Sequence, residues 1–356
     1  MRLVQLGCGF HGRGIAYQLA ASRHELRVLD LDADRAAAVG ATAGVPSGAV
    51  DVADPDALRR ALDGAGLVVN AVGPYHRTGL AVVDAAIAAG VHYVDMNDDH
   101  EVAEAVLLDP AWDERARQAG VTVLVDCGVV PGLSGMLVRH AARRLADVER
   151  VAIRFAWNYD RAYPAAIQHF LRINGGAGPQ YLDGGLQRKA PFAGREDFEF
   201  LAPVGRTGVY FTGVPDPVAI ARFVPGVREA TAQGAFYQAE ANALMEDLVG
   251  RGVATDALPP LPDIPRRDLP LALRIEVCDG RTTLRYEAHD HSRRATTTFT
   301  ALAALAVADG RLDAGVVAPE AWPDPDGFLR ELLTDRDIRV RHWRDAQEPR
   351  PLATGS

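Results

Sequence analysis

The chain has 356 residues, 48% of them apolar, which is enough for more than one buried core. Its 38 basic and 47 acidic residues give a formal charge of −9 and form no basic cluster, which speaks against nucleic acid as a partner. Cys8, Cys127 and Cys278 are too scattered for a disulfide framework or a paired-cysteine metal site, and no apolar run reaches the roughly 20 residues that span a bilayer.

The first residues run straight into glycines rather than through a signal-peptide core, so a cytoplasmic protein with no membrane partner is expected. Short apolar runs at 3–6, 26–29, 67–70, 93–95 and 121–125, with a weaker strand ending near Val50, alternate with helix formers at 12–21, 32–39, 55–62, 79–89 and 110–119. That alternation predicts a doubly wound parallel α/β sheet. Asp54-Pro55 and Asp109-Pro110 combine a capping carboxylate with a first-turn proline and mark helix starts. Beyond Pro131-Gly132 the pattern changes. Alternating polarity at 151–155, 273–277 and 283–286 predicts an antiparallel sheet with interspersed helices, and 258–270 is a proline-rich connection. Helical periodicity returns over 299–308, and the residues from Gln347 on carry no signal for ordered structure.

The segment Gly7-Cys8-Gly9-Phe10-His11-Gly12 lies between the first strand and the first helix. Glycine is common in this chain, so the spacing alone carries little; its place between strand and helix carries the argument. The first glycine permits a tight turn, the second lets a pyrophosphate approach the backbone, and the third lets helix and strand pack closely. The helix N-terminus, at Phe10 and His11, then offers unpaired amides to phosphate. Asp30 ends the second strand, where a carboxylate accepts from ribose hydroxyls and repels a 2′-phosphate, so NAD is favoured over NADP; Arg35 is a nearby candidate for holding such a phosphate. Asp51-Val52 either borders the adenine or forms the turn into the next helix. Ala71-Val72-Gly73-Pro74 leaves the fourth strand with small residues that admit a nicotinamide. These features predict a Rossmann-type dinucleotide-binding domain from 1–132 and 297–346, an inserted α+β substrate and dimerisation domain over 133–296, and a tail over 347–356.

The run Val68-Val69-Asn70-Ala71-Val72-Gly73-Pro74-Tyr75, followed by Gly79 and by His92-Tyr93-Val94-Asp95, resembles the saccharopine dehydrogenase family. Asp126-Cys127-Gly128-Val129-Val130-Pro131-Gly132 is similar to a turn of the lysine 6-dehydrogenases in that family, and Gly315-Val316-Val317-Ala318-Pro319-Glu320 is similar to the family's closing segment. The middle of the chain carries no such likeness. The resemblance implies nicotinamide-dependent oxidation or reduction at a carbon–nitrogen bond of an amino acid, in a homodimer. Two departures stand out. Met96-Asn97-Asp98-Asp99-His100 replaces the Gly-Glu or Gly-His pair of many relatives, and only Lys189 is lysine, against a lysine–histidine acid/base arrangement.

Hydride leaves a carbon bearing nitrogen only when that nitrogen has a free lone pair, so a base is needed. Candidates lie after the carboxyl ends of the parallel strands. His76 is a general acid/base or an exposed polar residue; Asp98 and Asp99 hold a substrate ammonium, act as base, or cap the helix beginning near Glu101. Tyr75, Asn97 and Arg172 are candidates for gripping substrate, the arginine through bidentate pairing with a carboxylate. His289 and His291 share one strand face but lack a third ligand, so no metal is assigned. The expected activity is oxidation of a lysine-like amine to an imine or semialdehyde. A condensing imine reductase of the saccharopine or carboxynorspermidine type and a non-catalytic NAD-binding sensor are the alternatives.

Overall fold

The structure, a computed structural model, describes residues 1–160, 164–254, 258–292 and 294–352. The chain divides into two units, Met1–Met136 with Arg294–Leu332 and Leu137–Arg293 with Leu333–Ser356.

In the first unit, β1 (Arg2–Leu6), β2 (Glu25–Asp30), β3 (Ser47–Ala49), β4 (Leu67–Asn70), β5 (His92–Asp95) and β6 (Thr122–Leu124) pair in parallel with a later strand, Gly315–Val317. Their order is Gly315–Val317, β6, β5, β4, β1, β2, β3. Every residue of β4 is buried, as a strand covered on both faces requires. The order reverses between β1 and β4, which opens a crevice at their carboxyl ends.

The helices are α1 (Phe10–Ala20), α2 (Ala33–Ala43), α3 (Pro55–Leu62), α4 (Tyr75–Ala88), α5 (His100–Leu108) and α6 (Pro110–Ala119). Aspartates start four of them: Asp32, Asp54, Asp99 and Asp109 each accept from first-turn amides of α2, α3, α5 and α6. α1 and α4 begin at Gly9 and Pro74 with no side-chain cap. Both follow the strands that flank the crevice, β1 and β4. The later helix Ala295–Ala308 packs on α1, where a Cβ on Gly14 would come within 3.0 Å of Thr297 Cγ2. It is also tied to the turn after β6 by the Thr300 hydroxyl, which donates to the Cys127 carbonyl at 2.6 Å.

The second unit is built on a mixed ten-stranded sheet. Its strands are β7 (Arg150–Trp157), β8 (Gly178–Leu182), β9 (Gly185–Lys189), β10 (Glu196–Glu199), β11 (Arg206–Phe211), β12 (Glu229–Phe236), β13 (Leu271–Cys278) and β14 (Thr283–Asp290), with Ile338–Arg344 and Arg350–Pro351 closing it. Only β7 and β12 run parallel to each other; the other pairs are antiparallel. One core gathers Tyr159, Phe170, Phe236 and Met245 against Trp157.

The chain end differs from the expected layout. The return to the first unit stops at Leu332, because Ile338–Arg344, whose first four residues alternate buried and exposed, pairs with β14 along seven registered positions. Arg350–Pro351, inside the expected tail, adds a short final strand; 353–356 lie outside the described residues. Among the described residues no helix is long and apolar enough to cross a membrane.

Candidate functional site

The turn after β1 is shaped by its glycines. Gly7 adopts φ +91°, its N–H donates to the Leu29 carbonyl at 2.7 Å, and a Cβ there would sit 2.6 Å from the Ala71 carbonyl oxygen. A Cβ on Gly12 would run into the Gly7 carbonyl. Gly9 differs from both: a Cβ there would meet nothing within 4 Å. Open space over Gly9 and the uncapped amides of α1 fit the pyrophosphate of a dinucleotide, which Gly7, Gly9, Phe10, His11 and Gly12 would hold. The loop Ala71-Val72-Gly73-Pro74 reaches this turn, since Gly7 lies against Ala71.

Asp30 is buried at the end of β2. One of its oxygens accepts from Cys8 N at 2.7 Å, the other from Asp32 N at 2.9 Å, and Arg35 Nη1 stands 3.4 Å away. Its carboxylate therefore braces the glycine turn. The same carboxylate, with burial as the larger cause, pushes the Cys8 thiol up to about 11, so Cys8 stays protonated. Asp51 lies in the turn into α3, where its side chain accepts from Ala53 N at 2.9 Å, and Val52 is buried.

A carboxylate cluster stands past β5. Asp95, at its end, is 1% exposed and accepts from Asp126 N at 2.8 Å, Asn97 N at 3.1 Å and the Tyr93 hydroxyl at 2.8 Å. Burial pushes its carboxyl up to about 6 against the lowering effect of those donors, and nearby Asp98 adds to the rise. Asp126 holds a left-handed φ of +67°, which turns its N–H onto Asp95. Next to this cluster, His76 Nδ1 lies 3.5 Å from Asp99 Oδ2, and Asp99 Oδ1 also caps α5 through Glu101 N. His11 lies within the field of Asp98; burial lowers its pKa, Asp98 opposes that, and its Nδ1 is buried without a hydrogen-bond partner.

Residues 3–124 match the family described as the saccharopine dehydrogenase NADP binding domain. These residues are thus similar to the nucleotide-binding domain of that family. A probable mitochondrial saccharopine dehydrogenase-like oxidoreductase from Arabidopsis thaliana is 33% identical over 89 residues, 24% of this chain and 19% of that protein. Carboxynorspermidine synthase from Vibrio cholerae is 25% identical over 181 residues, 46% of this chain and 41% of that protein. The chain thus spans less than half the length of these curated relatives. Two solved structures resemble it over nearly the whole chain and show the fold. Saccharopine dehydrogenase (L-Glu forming) from Saccharomyces cerevisiae has a TM-score of 0.69 at 14% identity, covering 97% of this chain and 100% of that one. Homospermidine synthase from Legionella pneumophila, in complex with NAD, has a TM-score of 0.70 at 11% identity, covering 97% and 92%.

The candidates part company across the two units. The glycine turn, Asp30, the 71–74 loop, His76 and Asp99 all stand at the carboxyl end of the sheet. Asn97 does not offer itself to a ligand: its amide donates to Asp126 Oδ1 at 3.0 Å and to the Asp99 carbonyl at 3.2 Å, and its oxygen accepts from Asp99 N. Tyr75 is likewise buried, with its hydroxyl donating to the Asn70 carbonyl at 2.8 Å. Both side chains are hydrogen-bonded within the loops. Arg172 lies in the other unit, half-buried in the last turn of the helix Pro164–Ile173. His289, read as a possible metal ligand, pairs with Glu287 at 2.7 Å. Asp95 was not among the sequence candidates; its signal was the acidic residue that ends β5.

Proposed function

We propose that the protein is an NAD-dependent oxidoreductase acting on a carbon–nitrogen bond of an amino acid or amine, oxidising a lysine-like amine to an imine. The observation that carries this reading is the His76–Asp99 pair, 3.5 Å apart, in the same unit and at the same sheet end as the uncapped glycine turn. A bound nicotinamide supplies the hydride acceptor. Asp99 orients the His76 ring and stabilises the imidazolium formed when that ring takes a proton from the substrate ammonium, which leaves the nitrogen as a neutral amine with a lone pair. Asp98, half-buried beside Asp99, is the candidate for holding a substrate ammonium. Asp30 favours NAD, because a 2′-phosphate would meet its buried carboxylate, with Arg35 as the partial offset. Substrate choice rests with the second unit, where Arg172 is the candidate for a carboxylate, and the protein works as a cytoplasmic homodimer.

A second reading is a condensing imine reductase. It is favoured by the longer of the two curated matches, to a protein named as a synthase. Initial rates separate the two. NADH formed from NAD and a single basic amino acid or diamine supports the dehydrogenase. NADH consumed only when an amine and an aldehyde are both present supports the condensing enzyme. NAD binding with no turnover in either direction across the panel would overturn both and leave a nucleotide sensor.

A further inference from the structure

The second unit contains a cavity of about 240 Å³ that the proposed chemistry does not use. Strand register builds it. Between β14 and Ile338–Arg344, His289 stands opposite Arg339 and Glu287 opposite Arg341, while Leu201 and Pro203 form an apolar rim. Residues two apart on a strand share a face about 7 Å apart, so both arginines reach one ligand.

The charges are not balanced. Glu287 is fully buried, and its negative charge is already met by Arg274, which donates to Oε2 through Nε at 2.8 Å and through Nη2. The other oxygen, Oε1, accepts from Leu201 N and from His289 Nε2, each at 2.7 Å. This holds the His289 ring in place, and His291 lies beside it with ring centroids 6.3 Å apart. Arg339 and Arg341 have no carboxylate within ion-pair distance among the described residues. Two guanidinium groups without partners repel a metal cation, whatever the two histidines suggest, and attract an oxyanion by paired hydrogen bonds. The volume falls below the roughly 300–1,000 Å³ that encloses drug-sized ligands, so the occupant is small.

We propose that this cavity binds a small oxyanion, a carboxylate or phosphate group held between Arg339 and Arg341 with His291 beside it. The site is independent of the reaction proposed above. Titration calorimetry on the full chain, saturated with NADH and held at constant ionic strength with chloride, tests it with inorganic phosphate and malonate as separate probes. Saturable binding of either one is expected, and the probe that binds identifies the oxyanion class. The Arg339→Gln/Arg341→Gln variant should weaken that binding by roughly tenfold or more. Arg341→Lys, which keeps the charge but not the fork, should weaken it by a smaller factor. Both side chains are exposed, and matching thermal melts verify that the variants fold. Absence of binding by both anions, or equal binding by the double variant, would overturn the site. Because turnover is not measured, the outcome stands whether or not the amine chemistry is found.

Discussion

Asp95 is a buried carboxyl whose folded pKa, about 6, lies above its ordinary value of 3.8. The folded state therefore holds this proton more tightly than the unfolded chain does. Its contribution to stability is present at low pH and is lost as pH rises from about 4 to about 6. Asp95→Asn keeps an oxygen acceptor for the Asp126 and Asn97 amides but cannot ionise. Thermal melts across pH 4–7 should show a flatter loss of stability for the variant than for the natural protein; superimposable curves would exclude Asp95 as the group responsible. His76 and Asp99 give a second residue-scale prediction. His76→Ala should lower kcat/KM by roughly 10²–10⁴-fold with little change in Tm. Asp99→Asn, which can still cap α5, should also lower activity without unfolding the protein; undiminished turnover in both would remove the pair from the mechanism. The sequence left Asp99 between capping and catalysis; in the structure one oxygen caps α5 and the other stands 3.5 Å from His76 Nδ1. That could not be read in advance, because His76 lies 23 residues earlier and only the pairing of β4 with β5 brings the two loops together.

At the scale of elements, the first turn and α1 separate two kinds of glycine. Gly12→Ala must push the Gly7 carbonyl aside, and overpacking of that kind costs about 1–3 kcal/mol. Gly9 has an ordinary negative φ of −69° and empty space around it, so Gly9→Ala should melt like the natural protein. Its methyl group would occupy the approach to the α1 amides, and NADH affinity measured by fluorescence titration should fall roughly tenfold or more. If Gly9→Ala bound NADH normally, the phosphates would have to lie elsewhere. Element starts were legible where a cap wrote them: Asp54-Pro55 and Asp109-Pro110 open α3 and α6 as expected. The three-residue strand Gly315–Val317 was not, because its place beside β6 depends on a partner about 190 residues away rather than on any local period.

Over the whole molecule, the parallel sheet of the first unit could be read from alternating apolar runs and helix formers. The end of the chain could not, because Ile338–Arg344 is arginine-rich and its alternation gains meaning only beside β14. Truncation after Leu332 should leave the full edge of β14 unpaired and send the protein into the insoluble fraction, whereas truncation after residue 346 removes only the short strand Arg350–Pro351 and should leave it soluble. Equal solubility of the two would show that the Ile338–Arg344 strand is dispensable.

The split of the nucleotide-binding unit also sets a timetable. When β6 leaves the ribosome, the unit still lacks the strand that will lie beside β6 and the helix Ala295–Ala308 that will cover α1. At about 5–20 residues per second, the missing strand arrives roughly 10–40 s later. For that interval β6 presents an open edge and the Thr300 bond to Cys127 cannot form. A growing chain of this design waits half-built, and a chaperone that shields β6 until Gly315–Val317 emerges would raise the yield of folded protein more than one acting at the N-terminus.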